Sequence, residues 1–273
     1  MHVHVKIAAV LAALLMSACA GQSRRESAAG PDDTPPYSIE RHRDQRKVVP
    51  GISALVIDNP YGEIQVRQTS AGELAIQAIE QRIGEKPRIA RLEWFHEGDR
   101  QGFRVRYDEH DPETGGPADP RLGRVDLVGF VPPGIPLELR TDFGAQIVRR
   151  IDNDVTARSR TGRITVTARG VINITSESGE VRAWNMGYDW PRPSLLRSGG
   201  TVMADVPLFT GLDLQVSAHG EIRSDFPLDQ LEQDAEGVWR ARHRTGAGTS
   251  VIRISSGGAV LLQGQRTPLP GHR

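Results

Sequence analysis

The sequence predicts an all-β fold, specifically a single-stranded, right-handed β-solenoid in which short strands stack into one column. Three observations predict it. Apolar and polar residues alternate in many short segments, almost no segment between residues 52 and 265 has helical periodicity, and a glycine followed shortly by a β-branched residue recurs along the chain. An antiparallel β-sandwich is the alternative, because strand spacing alone does not distinguish the two architectures.

The first eighteen residues have the organisation of a bacterial export signal. Residues 1–6 carry one lysine and two histidines, and residues 7–16 form the unbroken apolar run IAAVLAALLM. A ten-residue helix rises only about 15 Å, roughly half the hydrocarbon thickness of a bilayer, so this run is too short for a stable membrane anchor. We therefore expect residues 1–18 to be a signal peptide.

The next residue, Cys19, is the only cysteine in the chain. The stretch LMSAC at residues 15–19 resembles the bacterial lipobox, although Met16 stands where leucine is usual. The resemblance implies a diacylglycerol on Cys19 and attachment of the protein to a membrane through lipid. Ala20 stands where an inner-membrane retention signal would resemble aspartate, which favours the outer membrane of a Gram-negative bacterium. An ordinary secretory signal followed by a chance cysteine is the alternative.

Composition divides the rest of the chain into three parts. Residues 19–36 have no large apolar side chain after the cysteine and are predicted to be a lipidated, disordered tether. Residues 37–266 hold the alternating segments and are predicted to form the β-solenoid domain. Residues 267–273 are predicted to be a flexible tail.

Four segments show the alternation most clearly: residues 125–130, 137–141, 164–168 and 172–176. Each is predicted to be a strand with one buried face. The recurring glycines are Gly62, Gly144, Gly162, Gly179, Gly200, Gly220 and Gly258. We expect each to form a tight turn where a positive φ costs little, followed by a strand that begins with a β-branched residue. Stacked units of this kind bury a column of Ile, Val and Leu.

These segments resemble the widespread bacterial candidate-adhesin domains of unknown function, which are predicted to form β-solenoids from serial Ser/Thr-x-Gly-x-Ile/Val turns. The resemblance covers roughly residues 52–263 and is best at residues 57–66, 131–141, 155–183 and 254–260. It implies the architecture more specifically than an activity. The pattern is interrupted at residues 183–195 and 225–244, which we expect to leave the column.

The net charge argues against one class of partner. Lysine and arginine together number 34, as do aspartate and glutamate. This balance argues against nucleic acid or an acidic polymer as an electrostatic partner. The sequence also has no nucleophile-elbow, zincin, Walker or paired-cysteine motif, so no cofactor or metal is predicted.

Isolated acidic and histidine residues are weak candidates for chemistry. A polysaccharide-cleaving β-helix would need clustered carboxylates, for which the candidates are Asp142, Asp152, Asp154, Asp213 and Asp225. Their places beside turns favour local backbone capping instead. The acidic stretch at residues 108–113, with Asp119 nearby, lacks the ordered spacing of a calcium loop and is expected to be a solvated loop. Four histidines in polar segments also lack ligand spacing: His96, His110, His219 and His243.

The interruption at residues 183–195 concentrates aromatic side chains. Trp184, Tyr188 and Trp190 lie within seven residues. Exposed rings would stack on sugars or anchor a protein partner, and these three are the predicted ligand contacts. The favoured alternative is that they cover the solenoid core.

Together these observations favour a non-enzymatic, lipid-anchored envelope protein: a β-solenoid scaffold or adhesin-like binding module. Its expected partners are the membrane, through its lipid, and an envelope protein or glycan, with no nucleic acid. Two alternatives remain, a polysaccharide-acting enzyme on a β-helix and an accessory of envelope-stress signalling.

Overall fold

A computed structural model describes residues 37–84, 87–108, 123–185, 187, 190–208 and 211–265. Every regular element in these ranges is a β-strand, so the predicted all-β class is confirmed. No helix in the described part of the chain has the length and apolarity needed to cross a membrane. Four residues singled out in the sequence lie outside the described ranges: Cys19, His110, Asp119 and Tyr188. The predicted signal peptide, tether and tail also lie outside them.

The strands are short, and their bounds in chain order are as follows: β1 (Tyr37–Lys47), β2 (Ala54–Asp58), β3 (Ile64–Gln68), β4 (Glu73–Ile83), β5 (Ala90–Glu97), β6 (Arg100–Tyr107), β7 (Gly123–Val131), β8 (Leu137–Phe143), β9 (Gln146–Ile151), β10 (Val155–Thr161), β11 (Ile164–Ala168), β12 (Ile172–Ser176), β13 (Val181–Asn185), β14 (Ser194–Ser198), β15 (Val202–Pro207), β16 (Leu212–Ala218), β17 (Ile222–Ser224), β18 (Gln230–Gln233), β19 (Trp239–Arg244), β20 (Ser250–Ser256) and β21 (Val260–Gln265). The four segments with the clearest alternation coincide with β7, β8, β11 and β12, so these predictions are confirmed.

The strands form two large sheets. Sheet A has ten strands in the order β1-β4-β7-β3-β9-β11-β13-β15-β21-β17. Sheet B has eleven in the order β18-β19-β16-β20-β14-β12-β10-β8-β2-β6-β5. From β8 to β15 the chain alternates between sheet B and sheet A, and each strand from β8 to β13 pairs in parallel with the strand two places later. Val155, for example, aligns with both Leu137 and Ile172.

The stacking order departs from the chain order at both ends. The β2–β3 pair lies between β6–β7 and β8–β9. Similarly, β20–β21 lies between β14–β15 and β16–β17. Antiparallel pairs lie at one end of sheet A, where β4 lies between β1 and β7, and at both ends of sheet B, where β5 pairs with β6 and β19 lies between β16 and β18. At the other end of sheet A, β17 pairs in parallel with β21. Both sheets are therefore mixed, with a parallel centre.

The second segment at which the sequence pattern is interrupted, residues 225–244, adds two strands to sheet B, although it was expected to lie outside the stacked strands. Within residues 225–244, β18 and β19 form an antiparallel hairpin that extends sheet B beyond β16. Its outward face is polar and its inner face contributes Ala241 to the core. The antiparallel pairing explains why the glycine pattern stops there.

One hydrophobic core joins the two sheets. Along each central strand every second side chain is buried, as period-two geometry requires. Leu139 and Ala157 of sheet B and Val166 of sheet A have no exposed surface and belong to the same cluster. The apolar residues of the central strands thus fill the space between the sheets, and the alternating polar residues form the two outer faces.

The recurring glycines all lie where the chain passes from sheet B to sheet A. A Cβ on Gly144 would lie 2.0 Å from the carbonyl oxygen of Gly62, and one on Gly162 would lie 2.2 Å from that of Gly144. Positive φ occurs at only the first three of the seven, with values of 133°, 141° and 110°. The expectation that positive φ explains the whole pattern was therefore wrong. At Gly179, Gly200 and Gly220 a Cβ would lie 1.8–2.8 Å from the neighbouring turn, so close approach excludes a side chain there. At Gly258 the nearest atom would lie 3.1 Å away.

A ladder of hydroxyl side chains supports these turns. Ser159, Ser176, Ser198 and Ser256 align in neighbouring strands of sheet B and point inward. The Ser198 hydroxyl donates to the carbonyl oxygen of Gly179 at 2.5 Å and accepts from the amide of Gly200 at 2.9 Å. It therefore ties one turn to the next and satisfies backbone groups that the turns leave unpaired.

Candidate functional site

The turn groove

A polar groove of about 330 Å³ opens on the outer face of sheet B, beside the turns into sheet A. We call it the turn groove, and its lining residues are Asp58, Pro60, Arg140, Thr141, Asp142, Arg158, Ser159, Arg160, Thr175 and Glu177. Parallel pairing brings them together, since Asp58 of β2 aligns with Arg140 of β8, and Arg140 aligns with Arg158 of β10. The groove therefore joins residues from four strands.

The turn groove holds three carboxylates and three guanidinium groups. Arg160 lies 3.8 Å from Glu177, whereas Arg158 makes no side-chain hydrogen bond or ion pair with a described residue. Asp58 and Asp142 likewise make no side-chain hydrogen bond with a described residue. Polar groups without internal partners are available to a ligand that carries hydroxyl, amide or charged groups.

Burial raises the pKa of the Asp58 carboxyl above its usual 3.8. The positive charge of Arg140 opposes this rise, and the negative charge of Asp142 adds to it. A carboxyl in this position binds its proton more readily than an exposed one. It can accept a hydrogen bond when ionised and donate one when protonated.

An aromatic pair lies beside the turn groove: Tyr61 follows Pro60 and Phe143 follows Asp142, which line the groove, while the two rings themselves line the neighbouring pocket. The rings of Tyr61 and Phe143 stack with their centroids 5.3 Å apart and their planes 10° from parallel. They are held by an isolated parallel bridge between the same two residues. Phe143 is 41% exposed, and the guanidinium of Arg160 lies 6.0 Å from its ring centroid. An exposed ring beside hydrogen-bonding groups is an arrangement that binds amphipathic ligands.

The Tyr61 ring is fixed from its other side. Arg88 lies between the rings of Tyr61 and Tyr107, with its guanidinium carbon 4.6 and 4.4 Å from their centroids. Tyr107 donates its hydroxyl hydrogen to the carbonyl oxygen of Tyr61 at 2.9 Å. Burial raises the pKa of Tyr107, so this donor stays protonated. Contacts within the protein therefore hold the Tyr61 ring in place without a ligand.

Residues predicted from the sequence

Four of the five aspartates singled out in the sequence accept hydrogen bonds from residues that lie 17 to 84 positions away, and not through the expected local backbone capping. Asp154 accepts from the amide of Val171, Asp225 from that of Gly264, and Asp152 from the side chain of Gln68. Asp213 accepts two hydrogen bonds from Arg242, at 3.1 and 3.0 Å. Asp142 alone faces a groove.

The two described tryptophans of the aromatic segment lie in different surroundings. Trp190 is 6% exposed, belongs to the core cluster and donates its indole hydrogen to the carbonyl oxygen of Arg169 at 3.0 Å. Trp184 is half-buried on the outer face of sheet A, where it aligns with Asp205. Neither lines the turn groove, and their role as ligand contacts stays a prediction.

The described histidines also lie apart from the turn groove. The ring of His219 lies 3.5 Å from the carbonyl oxygen of Ser256, and His243 lies 3.7 Å from Asp229. His96 is exposed on β5.

The described residues hold one group with metal-ligand potential. This group consists of Glu40, His42 and Glu80, each of which offers one ligand atom, and these three atoms lie within 4.8 Å of one another. The guanidinium of Arg82 pairs with both carboxylates, at 3.0 and 2.8 Å. Because Arg82 already supplies the positive charge, the group is an ion-pair network and we assign no metal to it.

Sequence reasoning missed Asp58, Tyr61, Arg158 and Arg160. Asp58 and Asp142 are 84 positions apart, and no local spacing relates them. The available signal was the resemblance around residues 57–66, which marked this turn as part of the pattern. The turn after β2 lies beside the turn after β8 only because β2 and β8 are neighbouring strands, which the sequence does not reveal.

Comparisons with known proteins

No family model matches the chain, and no curated protein matches it. Two solved structures are similar at low identity. One is a candidate cell adhesion protein from Clostridium sporogenes, with a TM-score of 0.39 and 11% identity, covering 83% of this chain and 100% of that chain. The other is a candidate adhesin from Bacteroides fragilis, with a TM-score of 0.28 and 9% identity, covering 83% and 97%.

Proposed function

We propose that this chain is a lipid-anchored envelope protein whose β-solenoid domain is a non-enzymatic, adhesin-like binding module. The parallel centre of both sheets supports the solenoid, since the chain alternates between the sheets while successive turns stack on one another. The lipobox-like stretch ending at Cys19 supports the anchor. The prearranged turn groove supports the binding role.

The observation that carries the binding role is the stacked Tyr61–Phe143 pair, whose Phe143 ring is exposed, next to a groove with unpartnered polar groups. A sugar presents an apolar ring face and a rim of hydroxyl groups. The Phe143 ring offers a surface for the first, and Asp58 and Arg158 offer hydrogen-bonding partners for the second. We therefore propose a glycan as the ligand of the turn groove.

A glycan array probed with the full chain tests this proposal. We expect Phe143→Ala to reduce binding to the glycans that wild type retains by about tenfold, since one aromatic contact is worth about 1 kcal/mol or more. Phe95→Ala is the matched control, because Phe95 lies on β5 and also stacks with an arginine, Arg104, at 4.3 Å. No glycan bound by wild type, or equal loss in both variants, would refute the proposed site.

The anchor is tested separately. In a Gram-negative host we expect wild type to be labelled by radioactive palmitate and to fractionate with membranes. Cys19→Ser removes the thiol that takes the lipid, so the variant should lose both properties. Membrane association and signal cleavage that persist in Cys19→Ser would contradict the lipid anchor.

One observation favours a second function, a polysaccharide-acting enzyme. Asp58, whose pKa burial raises, and Asp142 line the same groove, and general acid–base cleavage of a glycoside requires a pair of carboxylates. Release of reducing ends from a glycan that binds the chain, abolished in both Asp58→Asn and Asp142→Asn, would establish this function. Unchanged glycan would support the binding module.

A further inference from the structure

A second groove opens on the outer face of sheet B, toward its other end. It has a volume of about 440 Å³ and spans strands β14, β20, β16 and β19. We call it the arginine groove. Its polar lining includes four arginines and two serines: Arg197, Arg240, Arg242, Arg253, Ser217 and Ser255. None of the described residues that line it is acidic, so its inner surface presents positive charge and hydroxyl groups.

Two of the arginines are fixed from outside the groove. Arg242 makes two hydrogen bonds to Asp213, at 3.1 and 3.0 Å, and Arg240 makes two to Asp234, at 3.1 and 3.0 Å. Hydrogen bonds to Asp213 from Arg242 and Gln215 outweigh burial and lower the pKa of its carboxyl. These pairs hold the two guanidinium groups in place along one side of the groove.

The other two arginines have no acidic partner. Arg197 makes no side-chain hydrogen bond or ion pair with a described residue, and Arg253 donates only to the amide oxygen of Gln215, at 3.2 Å. Ser255 aligns with Arg197 in the neighbouring strand. A planar guanidinium matches the geometry of carboxylate, sulfate and phosphate groups with two parallel hydrogen bonds. The unpaired groups therefore favour an anionic ligand.

A register row connects the two grooves. Arg140, Arg158, Thr175, Arg197 and Ser255 occupy equivalent positions on five neighbouring strands. At about 4.8 Å between strands, Arg158 and Arg197 are roughly 10 Å apart. The row thus repeats positive charge along an open, flat surface, which suits an extended chain with repeating charges better than a single small anion.

We propose that the arginine groove binds an acidic polysaccharide, through Arg197 and Arg253 to its carboxylate or sulfate groups. The lining has no aromatic ring on which a nucleic-acid base would stack. Of its aliphatic residues only Leu195 is partly exposed, since Val216, Ala241 and Ile254 are buried, so the groove offers little apolar surface for insertion into a membrane interface. The charge balance of the whole chain argued against an acidic polymer, but net charge does not report how the charges are distributed, and the arginine groove concentrates positive charge locally. The site goes beyond the function proposed above, since it uses different residues and a different ligand group.

Calorimetric titration of the full chain with dextran sulfate and with polygalacturonate tests the proposal, and neutral dextran is the control polymer. We expect both acidic polymers to bind, more weakly as salt rises, and neutral dextran not to bind. The double variant Arg197→Gln/Arg253→Gln should bind about a hundredfold more weakly, because each charged hydrogen bond is worth about tenfold. Phe143→Ala should bind as wild type does, which separates this site from the turn groove.

A matched control has the same change of charge on the other sheet. Arg67 and Arg149 align on β3 and β9, are exposed, and make no ion pair with a described residue. Arg67→Gln/Arg149→Gln should bind as wild type does. Ser255→Glu, which places a carboxylate in the groove, is an independent second variant that should also lose binding if the double variant fails to fold.

Four outcomes would overturn the proposal. These are no binding of either acidic polymer, equal loss in the Arg67/Arg149 control, unchanged binding in folded Ser255→Glu, and tighter binding of single-stranded DNA or phosphatidylglycerol vesicles than of the polysaccharides. The last outcome would assign the groove to nucleic acid or to an anionic membrane.

Discussion

Gly144 lies where two stacked turns touch. Its φ is 141°, and a Cβ there would lie 2.0 Å from the carbonyl oxygen of Gly62. Replacement by alanine forces the stacked turns apart or strains the backbone. We expect Gly144→Ala to lower the free energy of unfolding by about 2–3 kcal/mol, measured by urea denaturation.

Gly72 is the control for this substitution. It lies in the turn between β3 and β4, and a Cβ there would meet no heavy atom within 4 Å. Gly72→Ala should change the free energy of unfolding by no more than about 0.5 kcal/mol. Equal urea midpoints for the two variants would show that the stacked turns do not require glycine.

Glu80 is the buried acid of the described chain, with its side chain 3% exposed. Burial alone would raise its pKa, but hydrogen bonds from Arg82 and the amide of Ala90, with the charge of Arg82, hold the pKa below the usual 4.5. Its ionised form is therefore stabilised by folding. This contribution is fully present above pH 4.5 and is lost as the pH falls through the lowered value.

The measurement is the free energy of unfolding between pH 6 and pH 3. Wild type should lose stability more steeply than Glu80→Gln, since the variant has no carboxyl to protonate at this position. The difference between the two curves isolates Glu80 from the other acids. Parallel curves would show that folding does not lower the pKa of the Glu80 carboxyl.

At the scale of elements, the serine ladder joins one turn to the next. Ser198→Ala removes a donor to the carbonyl oxygen of Gly179 and an acceptor for the amide of Gly200. We expect a loss of about 1–3 kcal/mol in the free energy of unfolding, because both backbone groups lose a partner in a buried place. Ser255→Ala, on the outer face of β20, should change it by less than about 0.5 kcal/mol.

The strands themselves could be predicted because their signal is local. Residues 164–168 and 172–176 alternate apolar and polar side chains, and one buried face is all that this pattern requires. The hydrogen bonds of the serine ladder could not be predicted from the sequence in the same way. Ser198 lies next to a turn in the sequence, yet its donor bond reaches Gly179, nineteen positions away, which only stacking creates.

At the scale of the whole molecule, the order of the strand pairs was not predictable from spacing. The sequence places Gly258 after Gly220, but the β20–β21 pair lies between β14–β15 and β16–β17. Every pair has similar apolar faces, so the choice of neighbour depends on the sum of packing contacts and not on a local motif. The turn groove depends on the same choice, since β2 must lie beside β8 for Asp58 and Asp142 to share it.

The inserted position of β20–β21 gives a prediction for the whole molecule. Among the described strands, β16 pairs only with β20 and β19, and β17 pairs only with β21. In a chain ending at Thr249, β16 to β19 should lose their attachment, because stability in a stacked fold passes between neighbours. Hydrogen exchange followed by mass spectrometry should show fast exchange in β16, β17 and β19 and retained protection in β8 to β13.

A chain ending at Gln265 keeps every described strand and should exchange as wild type does. Retained protection of β16 in the shorter chain would mean that the hairpin folds without its parallel neighbour.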